Sequence, residues 1–237
     1  MKKISLVLLA VVSSLILLSS CLNSNGTTQP TTGAFLLAQT SPDAPNIGVT
    51  INNTLFDTLH FGNYTPYVGG VNAGTYSFAV DSFGVATPSK LKSTIVIDAN
   101  KYYSYFIIDS FKNLKAAFVN DVFQLPSSDS VYVRFFNFCP NATQPLNLVN
   151  TANSNSLASN RTFNDQASNS QFISFQEIPA GAYTLNLENS VSDSVLKSKT
   201  LTFVGGHVYT LFAKGTIGNS DSTRSLDIGQ LENYPQQ

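Results

Sequence analysis

The feature that most constrains this chain is that it repeats itself. Asn72-Ala73-Gly74-Thr75-Tyr76-Ser77-Phe78 returns as Pro179-Ala180-Gly181-Ala182-Tyr183-Thr184-Leu185, and Leu91-Lys92-Ser93 returns as Leu196-Lys197-Ser198. Tyr103-Ser104-Tyr105-Phe106 returns as Tyr209-Thr210-Leu211-Phe212. Upstream, Ser41-Pro42-Asp43-Ala44-Pro45 holds the place taken later by Cys139-Pro140-Asn141-Ala142, with Pro145 nearby. The matches keep their order and their offset grows from about 98 to about 107 residues, a pattern that reads as two copies of one unit. The difference falls in the polar stretch 150–171, which is expected to be a loop insertion in the second copy.

Within each copy the apolar residues recur every second position, the signature of half-buried strands. Ile47, Val49 and Ile51 alternate with Gly48, Thr50 and Asn52; Tyr76, Phe78 and Val80 alternate with Thr75, Ser77 and Ala79. Tyr183, Leu185 and Leu187 do the same in the second copy. Turn residues punctuate these runs at Asn52-Asn53, Gly69-Gly70, Ala73-Gly74, Ala99-Asn100 and Gly205-Gly206. After the first twenty residues no segment carries a capped 3.6-residue pattern. The expected fold is all-β: two tandem immunoglobulin-like antiparallel β-sandwich copies of about seven strands each. Gly74 and Gly181 are expected to take φ > 0 at a tight connection. Tyr76 and Tyr183 would then return their hydroxyls to the backbone as in a tyrosine corner.

The N-terminus gives the compartment. Lys2 and Lys3 precede an apolar run over residues 4–18, about 15 residues, which is shorter than the roughly 20 of a spanning helix. The run closes on Leu18-Ser19-Ser20-Cys21, which resembles a lipobox. That resemblance implies cleavage before Cys21 and lipid on its sulfur; the competing explanation is an uncleaved anchor with an incidental cysteine. The organisation read from the chain is a lipoprotein signal over residues 1–20, a flexible tether over 21–33, copy one over 34–125 and copy two over 126–237. Leu22 rather than an acidic residue follows the anchor, and the expected location is the bacterial outer membrane.

Composition narrows the chemistry. The chain has 13 basic and 14 acidic side chains. Two of the basic ones leave with the signal, so the mature protein is mildly acidic and offers no electrostatic basis for nucleic acid binding. With Cys21 acylated only Cys139 remains, and no disulfide can form within the chain. Only His60 and His207 are available as bases for a nucleophile, and Cys139 reads as a small buried apolar residue. No Cys/His cluster suggests a metal or other cofactor. Asp43 with Asn46 is explained by turn chemistry, and Glu177, Glu188 and Glu232 give no selectable carboxylate pair. The 17 Phe and 10 Tyr are read mainly as core, with Tyr64 and Tyr67 as the exposed aromatics. Four triplets, opening at Asp57, Asp129, Asp193 and Asp221, resemble O-glycosylation acceptors and are also ordinary turn sequences.

Ser41-Pro42-Asp43-Ala44-Pro45-Asn46 running into an alternating strand, followed by Ala73-Gly74-Thr75-Tyr76, resembles a bacterial envelope domain of unknown function, the DUF4397 family. The second copy departs from it, with Cys139-Pro140-Asn141-Ala142-Thr143 in place of the motif. The resemblance implies an extracytoplasmic β-rich module and brings no activity and no functional residues. The function expected is therefore a non-enzymatic binding or structural module, held to a membrane through lipid on Cys21, with an unknown protein or glycan partner. A glycan-binding accessory of a polysaccharide uptake system and a surface hydrolase are the alternatives.

Overall fold

The computed structural model describes residues 31–84 and 89–233; the signal, Cys21 and most of the expected tether lie outside them. The first strand begins at Thr32, inside the stretch expected to be tether. Copy one contains β1 (Thr32–Gln39), β2 (Ile47–Ile51), β3 (Thr54–Leu59) and β4 (Val68–Asn72), then β5 (Gly74–Ser82), β6 (Leu91–Ile97), β7 (Tyr102–Ile108) and β8 (Lys115–Asp121). Copy two contains β9 (Ser130–Asn137), β10 (Leu146–Asn150), β11 (Asn155–Arg161) and β12 (Gln176–Pro179), then β13 (Gly181–Asn189), β14 (Val195–Phe203), β15 (Val208–Lys214) and β16 (Asp227–Glu232).

Each copy is a sandwich of two four-stranded sheets. Copy one pairs β4-β1-β7-β8 against β3-β2-β5-β6, and copy two pairs β12-β9-β15-β16 against β11-β10-β13-β14. Raising every strand number of copy one by eight gives copy two, so the duplication read from short motifs extends to the full sheet order. Each copy has eight strands rather than seven. The sheets are antiparallel as expected apart from one parallel pair per copy, β1 with β7 and β9 with β15. The chain leaves the first sheet after β1, visits the second, and returns at β7 in the original direction, and such a return needs a long crossover.

Local sequence explains the corners. Asn52 and Asn53 both have positive φ (50° and 66°), the geometry of a two-residue hairpin turn between β2 and β3. Only Ala73 separates β4 from β5 although these strands belong to different sheets. Tyr76 ties this switch by donating from its hydroxyl to the Asn72 carbonyl at 2.7 Å, and Tyr183 donates to the Pro179 carbonyl at 2.9 Å. Gly181 has φ +141°, but Gly74 is not in the left-handed region. Gly69 and Gly70, expected in a turn, lie within edge strand β4.

The alternating strands bury one face. Ile47, Val49, Phe78 and Val80 fill the first core, and Leu185 and Leu187 the second. Strands β1, β7, β9 and β15 bury both. Phe35 and Leu37 enter the first core while Leu36 and Ala38 point the other way, into a third cluster with Phe106, Ile108, Ala117 and Val119. Copy two supplies Phe136, Phe138, Phe212 and Leu231 to that cluster. The inner sheets of the two copies therefore share a core, and Phe106 touches Phe136, Phe138 and Phe212 at centroid distances of 5.7, 5.0 and 6.0 Å. The packing is close enough that Gly229 on β16 has no room for a side chain. A Cβ there would collide with the Phe212 ring.

A candidate binding groove at the seam between the copies

The seam is not wholly apolar. Asp121 ends β8 and Arg134 sits in the middle of β9, and both side chains have no solvent exposure. Their ion pair crosses from one copy to the other. Tyr67 donates to Asp121 Oδ2 at 2.5 Å and Ser104 donates to the same oxygen at 2.7 Å. Arg134 Nε donates to Thr210 Oγ1 at 2.8 Å, Thr210 donates to Asn233 Oδ1 at 2.5 Å, and Asn233 Nδ2 donates to Tyr67 at 3.0 Å. The loop closes on itself. Burial and the neighbouring Asp121 carboxylate push the Tyr67 phenol far above its ordinary range. A second cross-copy tie lies in the signature turn of copy one, where Arg224 Nη1 donates to the carbonyls of Pro42 and Ala44.

Next to this network the longer connection of copy two builds a groove. Residues 60–67 join β3 to β4, whereas 162–175 join β11 to β12 and contain two short 3-10 turns, Asp165–Ala167 and Ser170–Ile173. Arg161 fixes the segment: Nε and Nη2 donate to the two oxygens of Asp165 at 2.9 and 2.6 Å, and Nη1 donates to the Phe135 carbonyl at 2.6 Å. Its guanidinium lies 4.0 Å from the Phe172 ring centroid. Arg134 holds the far end, with its guanidinium 4.3 Å from the Phe175 ring and Nη1 donating to the Ile173 carbonyl at 3.4 Å.

Two uncharged chambers result, beside a third of about 300 Å³ that Arg134 and Arg161 line. The first, about 530 Å³, lies among Phe123, Gln124, Tyr132, Ser174 and Phe175. Phe123 meets Phe175 edge to face at 5.7 Å. The second, about 480 Å³, runs along β8 and faces Gln166, Ala167 and Ser168. Asn120, Ser170 and Ile173 line both. None of the described residues lining these two chambers carries a charge. Asn120 Oδ1 and Gln166 Oε1 are buried with no hydrogen-bond partner among the described residues.

The residues singled out in the sequence fall elsewhere. Tyr67 is not an exposed platform beside Tyr64: it is drawn into the seam network, while Tyr64 is 41% exposed and pairs as an isolated bridge with Ala38. Cys139 is fully buried, its sulfur 3.3 Å from Asn141 Oδ1, and burial pushes its thiol up. His60 is exposed, and His207 hydrogen-bonds Glu232 at 2.6 Å. Asp43 accepts from the Phe111 amide at 2.7 Å, which gives it a turn role. Glu177 and Glu232 sit on β12 and β16, opposite edges of one sheet. At about 4.8 Å per strand they are about 14 Å apart, beyond the reach of a hydrolytic carboxylate pair. Glu188 belongs to the other sheet. Among the O-glycosylation-like triplets, Ser194 and Ser222 are exposed, whereas Ser130 is buried and donates to Glu177 at 2.6 Å. Among the described residues there is no group of three or more His, Cys, Asp or Glu able to hold a metal.

Sequence reasoning missed Asp121, Arg134, Arg161 and Asp165. A signal for Arg134 was present, since one arginine interrupts the apolar run Val131 to Phe136, and such a residue is almost never buried unpaired.

A search of curated protein sequences finds no match. Among solved structures, the Bacillus anthracis TIE protein overlaps 80% of this chain at 8% identity and a TM-score of 0.24, and the chain spans only 34% of that protein's length. The CBMbc module (family CBM26) of Eubacterium rectale Amy13K, solved with maltoheptaose, overlaps 86% of this chain and 98% of its own at 10% identity and a TM-score of 0.28. A streptococcal virulence factor described as binding alpha-glucan overlaps 80% of this chain and 95% of its own at 12% identity and 0.25. These overlaps are too loose to place any residue of this chain in their sites. Residues 35–144 match the family model described as Domain of unknown function (DUF4397), so the resemblance carried by Ser41 to Asn46 and by Ala73 to Tyr76 holds across the first copy and into the opening of the second.

Proposed function

We propose that the protein is a non-enzymatic extracytoplasmic binding module, tethered to the outer membrane through lipid on Cys21, whose ligand occupies the seam groove. The observation that supports this reading is the make-up of the groove. It is concave, partly aromatic and lined by neutral amides and hydroxyls, the usual character of a recognition site. Its described lining offers no carboxylate, imidazole, thiol or amine to act as an acid, base or nucleophile. A glycan-binding accessory of an uptake system is the finer version, favoured by the same neutrality.

Full-length protein purified with its anchor is expected to retain a neutral polysaccharide fraction without shortening it. Steady release of shorter products would contradict the non-enzymatic reading. The anchor is tested separately. Fatty-acid labelling of the wild type, lost in Cys21→Ser, is expected, and labelling that persists in the variant would overturn it.

A further inference from the structure

We infer that Lys197, Lys199 and Lys214 of copy two form a site for a dianionic oxyanion of the phosphate type, independent of the seam groove. The three side chains converge on one carboxylate. Lys197 Nζ lies 3.6 Å from Asp227 Oδ1, while Lys199 Nζ lies 2.8 Å from Oδ2 and donates to the Ile228 carbonyl at 2.7 Å. Lys214 stands directly opposite Asp227 in the pairing of β15 with β16. It is half-buried, and no hydrogen bond or ion pair holds its ammonium among the described residues. The ammonium faces the Phe61 ring, 4.8 Å from its centroid, and has room only because position 62 is glycine: a Cβ there would lie 2.8 Å from Nζ. Burial pulls the Lys214 pKa below its ordinary value; Asp227 opposes this, and Lys199 and Lys197 add to it.

The cluster belongs to copy two alone. Counted along the strand pairings from Tyr76 and Tyr183, Lys197 and Lys199 stand where copy one has Leu91 and Ser93. Lys214 and Asp227 stand where copy one has Ile108 and Lys115. Inward-pointing charge on an edge strand such as β14 discourages pairing with a further sheet. That accounts for Lys197 and Lys199 and leaves Lys214 unexplained, because β15 is an inner strand. Arg224 is nearby but engaged, donating to the carbonyls of Pro42 and Ala44. Three ammonium groups and one carboxylate leave a local charge of +2, in a chain whose net charge is -1. The complement is a dianion. A phosphate monoester carries about −1.5 to −2 at pH 7 and offers three acceptor oxygens, which suits an ammonium with no acceptor of its own. A carboxylate or a sulfate ester brings a single charge and would leave half of the excess unmatched. A phosphate group can arrive as the free ion or on a larger molecule.

The test is a calorimetric titration of the full-length protein at low salt and pH 8, above the second phosphate pKa of about 6. Methyl phosphate is then a dianion and methyl sulfate a monoanion of the same shape. Methyl phosphate is expected to bind about tenfold more tightly. Lys214→Met, which keeps the length of the side chain and removes its charge, is expected to weaken methyl phosphate binding about tenfold, and Lys197→Met to weaken it in the same direction. Lys101→Met, which removes a lysine paired with Asp98 in copy one, is expected to change nothing. An unchanged melting temperature shows that each variant is folded. Inorganic phosphate bound more tightly than methyl phosphate marks a site for the free ion; equal or weaker binding marks one for a phosphate carried on a larger molecule. Equal affinity for methyl sulfate and methyl phosphate overturns the dianion. No binding of methyl phosphate, or binding untouched by both Lys214→Met and Lys197→Met, overturns the site.

Discussion

Arg134 occupies a strand position where neighbours on both sides are apolar, and the fold accommodates it by supplying a partner for each guanidinium nitrogen. Asp121, Thr210 and the Ile173 carbonyl each take one, and the rings of Phe136 and Phe175 cover the guanidinium. A buried charge left alone is expensive. Asp121→Ala is therefore expected to lower stability by about 3–5 kcal/mol, read by urea denaturation. A loss below about 1 kcal/mol would mean that water reaches Arg134. Tyr67 gives the network a pH signature. Its phenol ionises far less readily in the folded protein than in the unfolded chain, where its pKa is about 10. The stability this supplies is complete below about pH 10 and falls as pH rises past that point, because only the unfolded state then gains by losing the proton. Alkaline denaturation is expected to be steeper for the wild type than for Tyr67→Phe. Equal slopes would remove Tyr67 from the account.

At the scale of elements, sequence and structure agree where one face of a strand is wet. β5 and β13 show their alternation because one side meets a core and the other faces outward. β1, β7, β9 and β15 lose it because alternate residues enter two different cores, so both sets are apolar. That also hid the shared seam and the misplacement of Tyr67. β11 was hidden for the opposite reason: Asn155–Arg161 is a polar edge strand inside a stretch expected to be loop. It forms because its backbone pairs with β10 and because Arg161 anchors its end through Asp165 and the Phe135 carbonyl. The groove could not be read at all, because it depends on how the connection 162–175 folds back on Arg134 and Arg161. Replacing that connection with the shorter 60–67 segment of copy one is expected to preserve the β circular-dichroism spectrum while abolishing ligand binding. Retained binding would place the site elsewhere.

The two copies behave as one body in this account. The third core draws six buried apolar residues from copy one and four from copy two, and hydrogen bonds from Arg134 and Arg224 cross at separate places. Copy one alone would expose Leu36, Phe106, Ile108 and Val119 as a contiguous apolar face, beyond what a soluble monomer normally shows. Expressed alone it is expected to self-associate, and a monodisperse, stable monomer in ultracentrifugation would argue against the seam. The arrangement also places the proposed groove where only the joined copies can make it, since β8 comes from one copy and the 3-10 turns from the other. Differential scanning calorimetry of the full-length protein tests that unity most directly. The account predicts a single endotherm whose calorimetric and van't Hoff enthalpies agree. Two separable transitions, one for each copy, would contradict it.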